Sequence, residues 1–148
     1  MAAASVGENW TPADVVSLEA TADFSAAKGK VVALTTSGVG KCELATDADS
    51  TTLPLFGVVV ENAASTATSG NIVGVVPIAS GKIVKVLCDG VTPSAVLIGS
   101  LLTVDASAMG FVTTADEDYV IGIAMGGTTS ASAFVPVLLG GGVADAKA

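Results

Sequence analysis

Short apolar runs separated by turn-forming residues make up most of the chain. Runs of four to seven residues rich in Val, Ile, Leu and Thr lie between clusters of Gly, Asp and Ser, a pattern typical of short β-strands at close spacing. Helical periodicity is weak throughout. The best candidate for a helical turn is "TPSAVLIG", where Thr92 would cap the turn and Pro93 would begin it. The pattern therefore predicts an all-β fold.

A degraded internal repeat runs along the chain. With an offset of 70 residues it matches Gly29 with Gly99 and Gly40 with Gly110. After five residues are dropped from the second copy, "FGVVVENA" meets "IGIAMGG". Each copy reads as short strands around a Gly-containing hairpin. The repeat predicts a small antiparallel β-barrel or sandwich built from two copies of a strand–hairpin–strand unit.

The repeat also sets the expected domain boundaries. We expect a single β-domain over residues 15–139, with the two copies at about 15–80 and 85–139. Outside it, residues 1–14 are predicted to form a flexible N-terminal arm and residues 140–148 a flexible tail, because both are rich in small residues.

Several of the apolar runs do not alternate with polar residues. "VVAL" at Val31 and "GVVVE" at Gly57 are continuous, whereas a strand buried on one face alone should alternate. One interpretation is that both faces are covered, by a second sheet on one side and by a neighbouring subunit or partner on the other. The other interpretation is that one face of each strand is exposed and carries Val and Ala side chains.

Candidate partner contacts lie at the start of the chain. Trp10 is an aromatic residue in an arm of mostly small and polar residues, where it would either anchor in a partner's pocket or fold back on its own core. The predicted partner-binding residues are Trp10, Thr11, Pro12, Val15 and Val16.

Composition narrows the classes of protein. Apolar residues make up 51% of the chain and charged residues 14%, which argues against disorder. The net charge of −8, with scattered Lys, argues against a nucleic-acid partner. The longest uncharged stretch, 119–143, contains "GGTTSAS" and Pro136, which would break a membrane helix. No membrane partner and no secretory signal are predicted, so the protein is expected to stay in the cytoplasm of the cell that makes it or to leave by a route other than secretion.

Residues suited to catalysis or metal binding are sparse. The chain has no His, so Ser-His and Cys-His pairs and His-based metal sites are excluded. In the repeat, Cys42 aligns with Val112 and Cys88 with Leu18, so both thiols are interpreted as buried small hydrophobes. The alternatives are a disulfide and a reactive or metal-bound thiol.

Two acidic clusters fall at equivalent points of the repeat. The spacing of Asp47 and Asp49 resembles the start of a calcium loop, but Thr52 and Val58 stand where Gly and Glu are needed. The second cluster is 116–118. Solvated turn acids are the favoured interpretation, with weak divalent binding or an acid/base pair as alternatives. We therefore expect no enzyme, no catalytic residues, no metal and no cofactor.

The order and doubling of these elements resemble a known family. The stretches "VVSLEATADFSAAKGKVVALTTSGVGKCELATDAD", "LFGVVVENA", "IVKVLCDGVTPSAVLIGSLLTVDASAMGFVTTADEDYVIGIAMG" and "FVPVLL" are similar to the capsid decoration, or cement, proteins of tailed bacteriophages. The resemblance covers about residues 15–139. Its motifs consist of Gly and aliphatic residues.

The resemblance implies a structural protein of the virion. Members of the family bind the outer surface of the capsid, bridge major capsid proteins and stabilise the head. They commonly act as homotrimers at threefold or quasi-threefold positions. The expected partner is therefore the major capsid protein. The alternative is a carbohydrate-binding or fibre/adhesin β-module of a phage or bacterial surface.

Overall fold

The computed structural model describes residues 14–35, 38–46, 55–113 and 119–143. Over these residues the chain forms ten strands and one short 3-10 helix, Ile78–Ser80. The strands are β1 (Val16–Ala20), β2 (Val31–Leu34), β3 (Lys41–Leu44), β4 (Leu55–Val59), β5 (Ile72–Pro77), β6 (Ile83–Cys88), β7 (Leu101–Val104), β8 (Gly110–Val112), β9 (Tyr119–Ala124) and β10 (Ala133–Val143). The predicted all-β fold is confirmed. The helical turn predicted at Thr92 is wrong, because residues 91–94 form bends.

The strands close into two five-stranded barrels. Barrel 1 has the strand order β1-β3-β2-β4-β5 and barrel 2 the order β10-β6-β8-β7-β9. Neighbouring strands are antiparallel except β1–β3 and β6–β8, which are parallel. Alternating directions cannot continue around a ring with an odd number of strands, so one parallel pair per barrel follows from closure. The predicted barrel of two copies is thus confirmed, with each copy closing on itself.

The two barrels repeat the same hydrogen bonds. Gly29 has a φ of 84° and its N–H donates to the carbonyl of Val59 over 2.7 Å; Gly99 has a φ of 90° and its N–H donates to Ala124 over 2.7 Å. A positive φ favours glycine, which explains why this residue is the same in both copies. The sequence repeat is therefore a structural repeat.

The register of the repeat differs from the sequence alignment in part. The parallel pair Ala20 and Cys42 corresponds to Cys88 and Gly110, an offset of 68, because the β7–β8 hairpin is two residues shorter than β2–β3. The predicted counterparts of the two cysteines, Val112 and Leu18, are therefore wrong. Residues that are paired at equivalent positions of the two barrels give the offsets in residue number of the other strands. The offset is 70 between β2 and β7, 65 between β4 and β9, and 62 between β5 and β10.

Two clusters of buried side chains form the core. One fills barrel 1 and includes Leu18, Ala20, Phe24, Ala27, Val32, Cys42, Val59, Ala63, Val73 and Val75. The other joins the interior of barrel 2 to the outer surface of barrel 1, where Val31, Val58 and Val76 lie. Both faces of the continuous apolar strand β2 are therefore covered. The outer cover is the other barrel of the same chain and not a neighbouring subunit.

The ends of the domain differ slightly from the expected boundaries. Strand β10 continues to Val143, past the boundary expected at residue 139. Residues 144–148 of the expected tail, and residues 1–13 of the expected arm, lie outside the described residues. Asp14 lies beside Lys82, with 3.9 Å between Oδ1 and Nζ. No helix among the described residues is long and apolar enough to cross a membrane.

Candidate interaction surface

The predicted partner-binding residues divide into three groups. Trp10, Thr11 and Pro12 lie outside the described residues. Val15 is half-buried and packs against the shared core cluster, so its side chain contributes to the fold. Val16 opens β1, pairs with Val75 of β5 and keeps 38% of its surface exposed.

One short segment of barrel 1 makes backbone hydrogen bonds to barrel 2. The carbonyl of Gly29 accepts a hydrogen bond from the N–H of Leu87 over 2.8 Å, and the N–H of Val31 donates to the carbonyl of Ala108 over 2.9 Å. A side chain at Gly29 would meet the ring of Phe134 at 2.5 Å. Barrel 1 is therefore held on barrel 2 by backbone bonds as well as by apolar packing.

The carboxylate of Asp105 stabilises the turn of barrel 2 that contacts Val31 of barrel 1. The Oδ1 atom of Asp105 accepts hydrogen bonds from the N–H groups of Ser107 and Met109, over 2.8 and 2.9 Å. This tight turn holds Ala108 at a φ of 62°, a conformation that costs a non-glycine residue some strain. The carboxylate thus supports the geometry that places the carbonyl of Ala108 against barrel 1.

The outer surface of barrel 1 that faces barrel 2 is a row of valines. Val31 pairs with Val58 across β2 and β4, and Val58 pairs with Val76 across β4 and β5. All three side chains are fully buried. Cross-strand neighbours on one face of a sheet form a continuous surface, so these valines make one apolar strip.

The matching row on barrel 2 is exposed. Leu101 pairs with Ile123, and Ile123 pairs with Leu138, at the positions equivalent to the three valines. Their exposed fractions are 42%, 39% and 37%, and Met125, the counterpart of the buried Val60, is 47% exposed. We call Leu101, Ile123, Met125 and Leu138 the apolar wall. A contiguous row of large, exposed apolar side chains marks an interaction surface.

The turn beside the apolar wall is also apolar. Leu97 and Ile98 precede Gly99 and are mostly exposed, whereas Ala27, the counterpart of Leu97, is buried. Sequence reasoning missed this surface. The signal was present in the repeat alignment, which sets Leu101 opposite Val31, but the pattern does not say which of the two copies is covered.

The two cysteines are buried and free. Burial raises the pKa of the Cys42 thiol from its ordinary value of 9.0 to about 11. Burial and, secondarily, the charge of Asp105 raise the pKa of the Cys88 thiol to about 12. The interpretation as buried small hydrophobes is confirmed, and the disulfide alternative is wrong.

The raised thiol pKa values predict a loss of stability at high pH. The unfolded chain releases its thiol protons near pH 9, before the folded chain does, so the stabilisation is complete below that pH and is lost as the pH rises through about 11 and 12. We expect a decrease of roughly 2 kcal/mol per thiol. Denaturant unfolding at about pH 8 and about pH 11 measures it.

The matched variant for this prediction is Cys88→Ala, which places in barrel 2 the residue that barrel 1 has at Ala20. Its stability should fall less steeply with pH than that of the natural chain. Identical slopes for the two chains would contradict the assignment to the buried thiol.

The acidic clusters at 47–49 and 116–118 lie outside the described residues. Within the described ranges, no group of three or more Cys, Asp or Glu side chains lies close enough together to hold a metal ion. The carboxylate of Asp89 accepts a hydrogen bond from the N–H of Val91, as expected of a residue that stabilises a turn.

No family model and no curated protein matches the chain.

Proposed function

We propose that the chain is a non-enzymatic structural protein of a phage virion that binds the outside of the capsid. It bridges major capsid proteins and stabilises the head. The observation that most supports a structural role in an assembly is the apolar wall, because a row of large aliphatic side chains on a closed barrel suits contact with another protein chain. The capsid as the partner comes from the sequence resemblance.

The barrel architecture suits a rigid spacer in a shell. A closed sheet has no free edge, so partners contact its side-chain faces and do not add strands. The net charge of −8 favours an outer position, away from packaged DNA. Each interface can be modest, since many copies on one lattice together resist its expansion through multivalent binding.

The proposed assembly is a homotrimer at threefold or quasi-threefold positions, with the major capsid protein beneath it. Residues 1–13 are proposed to contact the capsid through Trp10. These residues precede Asp14, which lies beside Lys82 at the start of the described chain.

A pelleting experiment tests the proposal. Purified chain is mixed with heads assembled without it, and the heads are sedimented. We expect the full chain to pellet with the heads and to saturate. We expect a variant lacking residues 1–13 to pellet at least 10-fold less at the same concentration, the loss expected when an aromatic anchor is removed.

The controls for this experiment separate the alternatives. The arm-deleted chain should keep the unfolding midpoint of the full chain, since residues 1–13 precede β1. Unchanged pelleting of the deleted chain would contradict the role of the arm. Failure of the full chain to pellet, together with binding to host polysaccharide, would overturn capsid binding in favour of a carbohydrate-binding module.

A further inference from the structure

We propose that the apolar wall of barrel 2 binds barrel 1 of a second copy of this chain, head to tail, and so repeats between molecules the contact that joins the two barrels within one molecule. The inference deepens the proposed function, on which it rests for its biological setting, because it names the surfaces that join the copies.

The apolar wall of barrel 2 is equivalent to a buried row of valines on barrel 1. Val31, Val58 and Val76 are buried by barrel 2, whereas their counterparts Leu101, Ile123 and Leu138 form an exposed row in the same register. The exposed residues are the larger ones. In barrel 1 this surface is apolar and is buried by another barrel. In barrel 2 the equivalent surface is apolar and exposed, so it is suited to contact with a barrel as well.

The turn that precedes the wall is preserved as well. Gly99 has the left-handed conformation of Gly29, and a side chain at Gly99 would meet no atom within 4 Å, whereas Gly29 lies against Phe134. The segment of barrel 2 equivalent to Gly29–Val31 is therefore formed and accessible.

Barrel 1 also carries the counterpart of the surface with which barrel 2 contacts it. Barrel 2 receives barrel 1 at Leu87, Ala108 and Phe134, and the counterparts of these residues are Glu19, Gly40 and Ile72. We call Glu19, Gly40 and Ile72 the receiving patch. Gly40 has a φ of 71°, close to the 62° of Ala108.

The receiving patch is accessible. A side chain at Gly40 would meet no atom within 4 Å, and Ile72 is 62% exposed, an unusual position for a large aliphatic side chain. Each copy therefore carries one apolar wall and one receiving patch, on different barrels.

One backbone bond must rearrange for the contact to be repeated. In barrel 1 the N–H of Glu19 donates to the carbonyl of Gly40 over 2.9 Å, whereas in barrel 2 the equivalent groups of Leu87 and Ala108 bond to the segment of barrel 1. On docking, the N–H of Glu19 moves to the carbonyl of Gly99 of the second copy, and the carbonyl of Gly40 accepts from the N–H of Leu101.

The rearrangement breaks one backbone hydrogen bond and forms two. The nearby ion pair of Lys41 and Glu19, 3.6 Å apart, is at the surface and contributes little. The contact between copies is therefore weaker than the contact within one chain, where no bond needs to break. It makes association dependent on concentration or on alignment by a lattice.

A head-to-tail contact has a geometric consequence. Wall and patch are different surfaces, so the interface is heterologous and builds a closed ring or an open chain of molecules. A ring of three copies would contain six barrels in pseudo-sixfold arrangement and leave no apolar wall exposed. This arrangement agrees with the homotrimer proposed above.

A complementation experiment tests the direction of the contact. The wall variant is Leu101→Glu and the patch variant is Ile72→Glu. The control is Val91→Glu, which alters a side chain that is 55% exposed in the loop after β6. Sedimentation velocity is measured for each variant alone and for an equimolar mixture of the wall and patch variants, after a cooperative thermal transition has shown that each variant is folded.

The expected results differ for each sample. The natural chain and Val91→Glu associate with rising concentration, and the wall and patch variants alone stay monomeric. Their mixture forms a dimer and nothing larger, because the intact wall of one variant meets the intact patch of the other.

Three results would overturn the inference. One is a natural chain that stays monomeric up to ~1 mM, the weak end of specific association. Another is a wall or patch variant that associates alone as the natural chain does, which would show a contact between identical surfaces. A mixture that stays monomeric while the natural chain associates would equally overturn the pairing of wall with patch. Heads are absent from this experiment, so failure of the pelleting experiment with intact self-association would overturn capsid binding alone.

Discussion

Alanine at Gly57 or at Gly122 lowers the free energy of unfolding by about 3 kcal/mol. A Cβ atom at Gly57 would overlap the carbonyl oxygen of Val76, and one at Gly122 would overlap that of Leu138. Both oxygens belong to the backbone of the neighbouring strand in a closed barrel. They cannot withdraw without disturbing the ladder β4–β5 or β9–β10, so the strain remains in the folded state.

Denaturant unfolding of each variant measures this loss. The matched control is Gly140→Ala, where a new side chain would have no atom within 4 Å, and we expect a change within about 0.5 kcal/mol. Unfolding midpoints for Gly57→Ala and Gly122→Ala equal to that of the control would contradict the close approach of the strands.

Aspartate at Val31 destabilises the chain by at least ~4 kcal/mol, whereas aspartate at the equivalent Leu101 costs about 1 kcal/mol. Val31 is fully buried between the barrels, where a carboxylate would have lost its water. Leu101 occupies the same position of the repeat with 42% of its surface exposed. Comparison of the two variants therefore measures how much burial by the second barrel adds to the free-energy cost of aspartate at one position of the repeat.

Thermal or denaturant unfolding of the two variants provides the comparison. Large losses for both would mean that the apolar wall is part of the core of the isolated chain. Small losses for both would mean that barrel 2 does not cover barrel 1. Either result would remove the asymmetry on which the head-to-tail contact depends.

Much of the fold follows from local chemistry that can be recognised in the sequence. Val-rich runs favour strands, and Gly29 and Gly99 supply the positive φ values that the same turn needs in both copies. These features were enough to predict an all-β fold and its duplication. They involve neighbours along the chain, so they do not depend on how the strands close.

The two-barrel arrangement and the register depend on pairing between distant strands. A two-residue difference in hairpin length shifts β3 and β8 relative to β2 and β7, and an aligned pair such as Cys42 and Val112 then looks equivalent when it is not. Such a shift leaves the apolar pattern nearly unchanged, because moving a strand by two residues keeps each side chain on the same face.

The apolar wall could not be predicted from the hydrophobic pattern, because its exposure also depends on contacts between distant parts of the chain. Val31 and Leu101 are both apolar and both lie next to residues that face a barrel interior. Their exposure differs because barrel 2 covers the strip of barrel 1 that contains Val31, whereas no described part of the chain covers the equivalent strip of barrel 2. The role of Trp10 in partner binding stays a prediction, and the half-buried Val15 packs against the core.

Electron cryo-microscopy of heads incubated with the chain shows whether and where the chain binds the capsid. We expect additional density on the outer surface at threefold or quasi-threefold positions, with six small barrels per position arranged in a ring. Heads that show no additional density at saturating chain would contradict capsid binding.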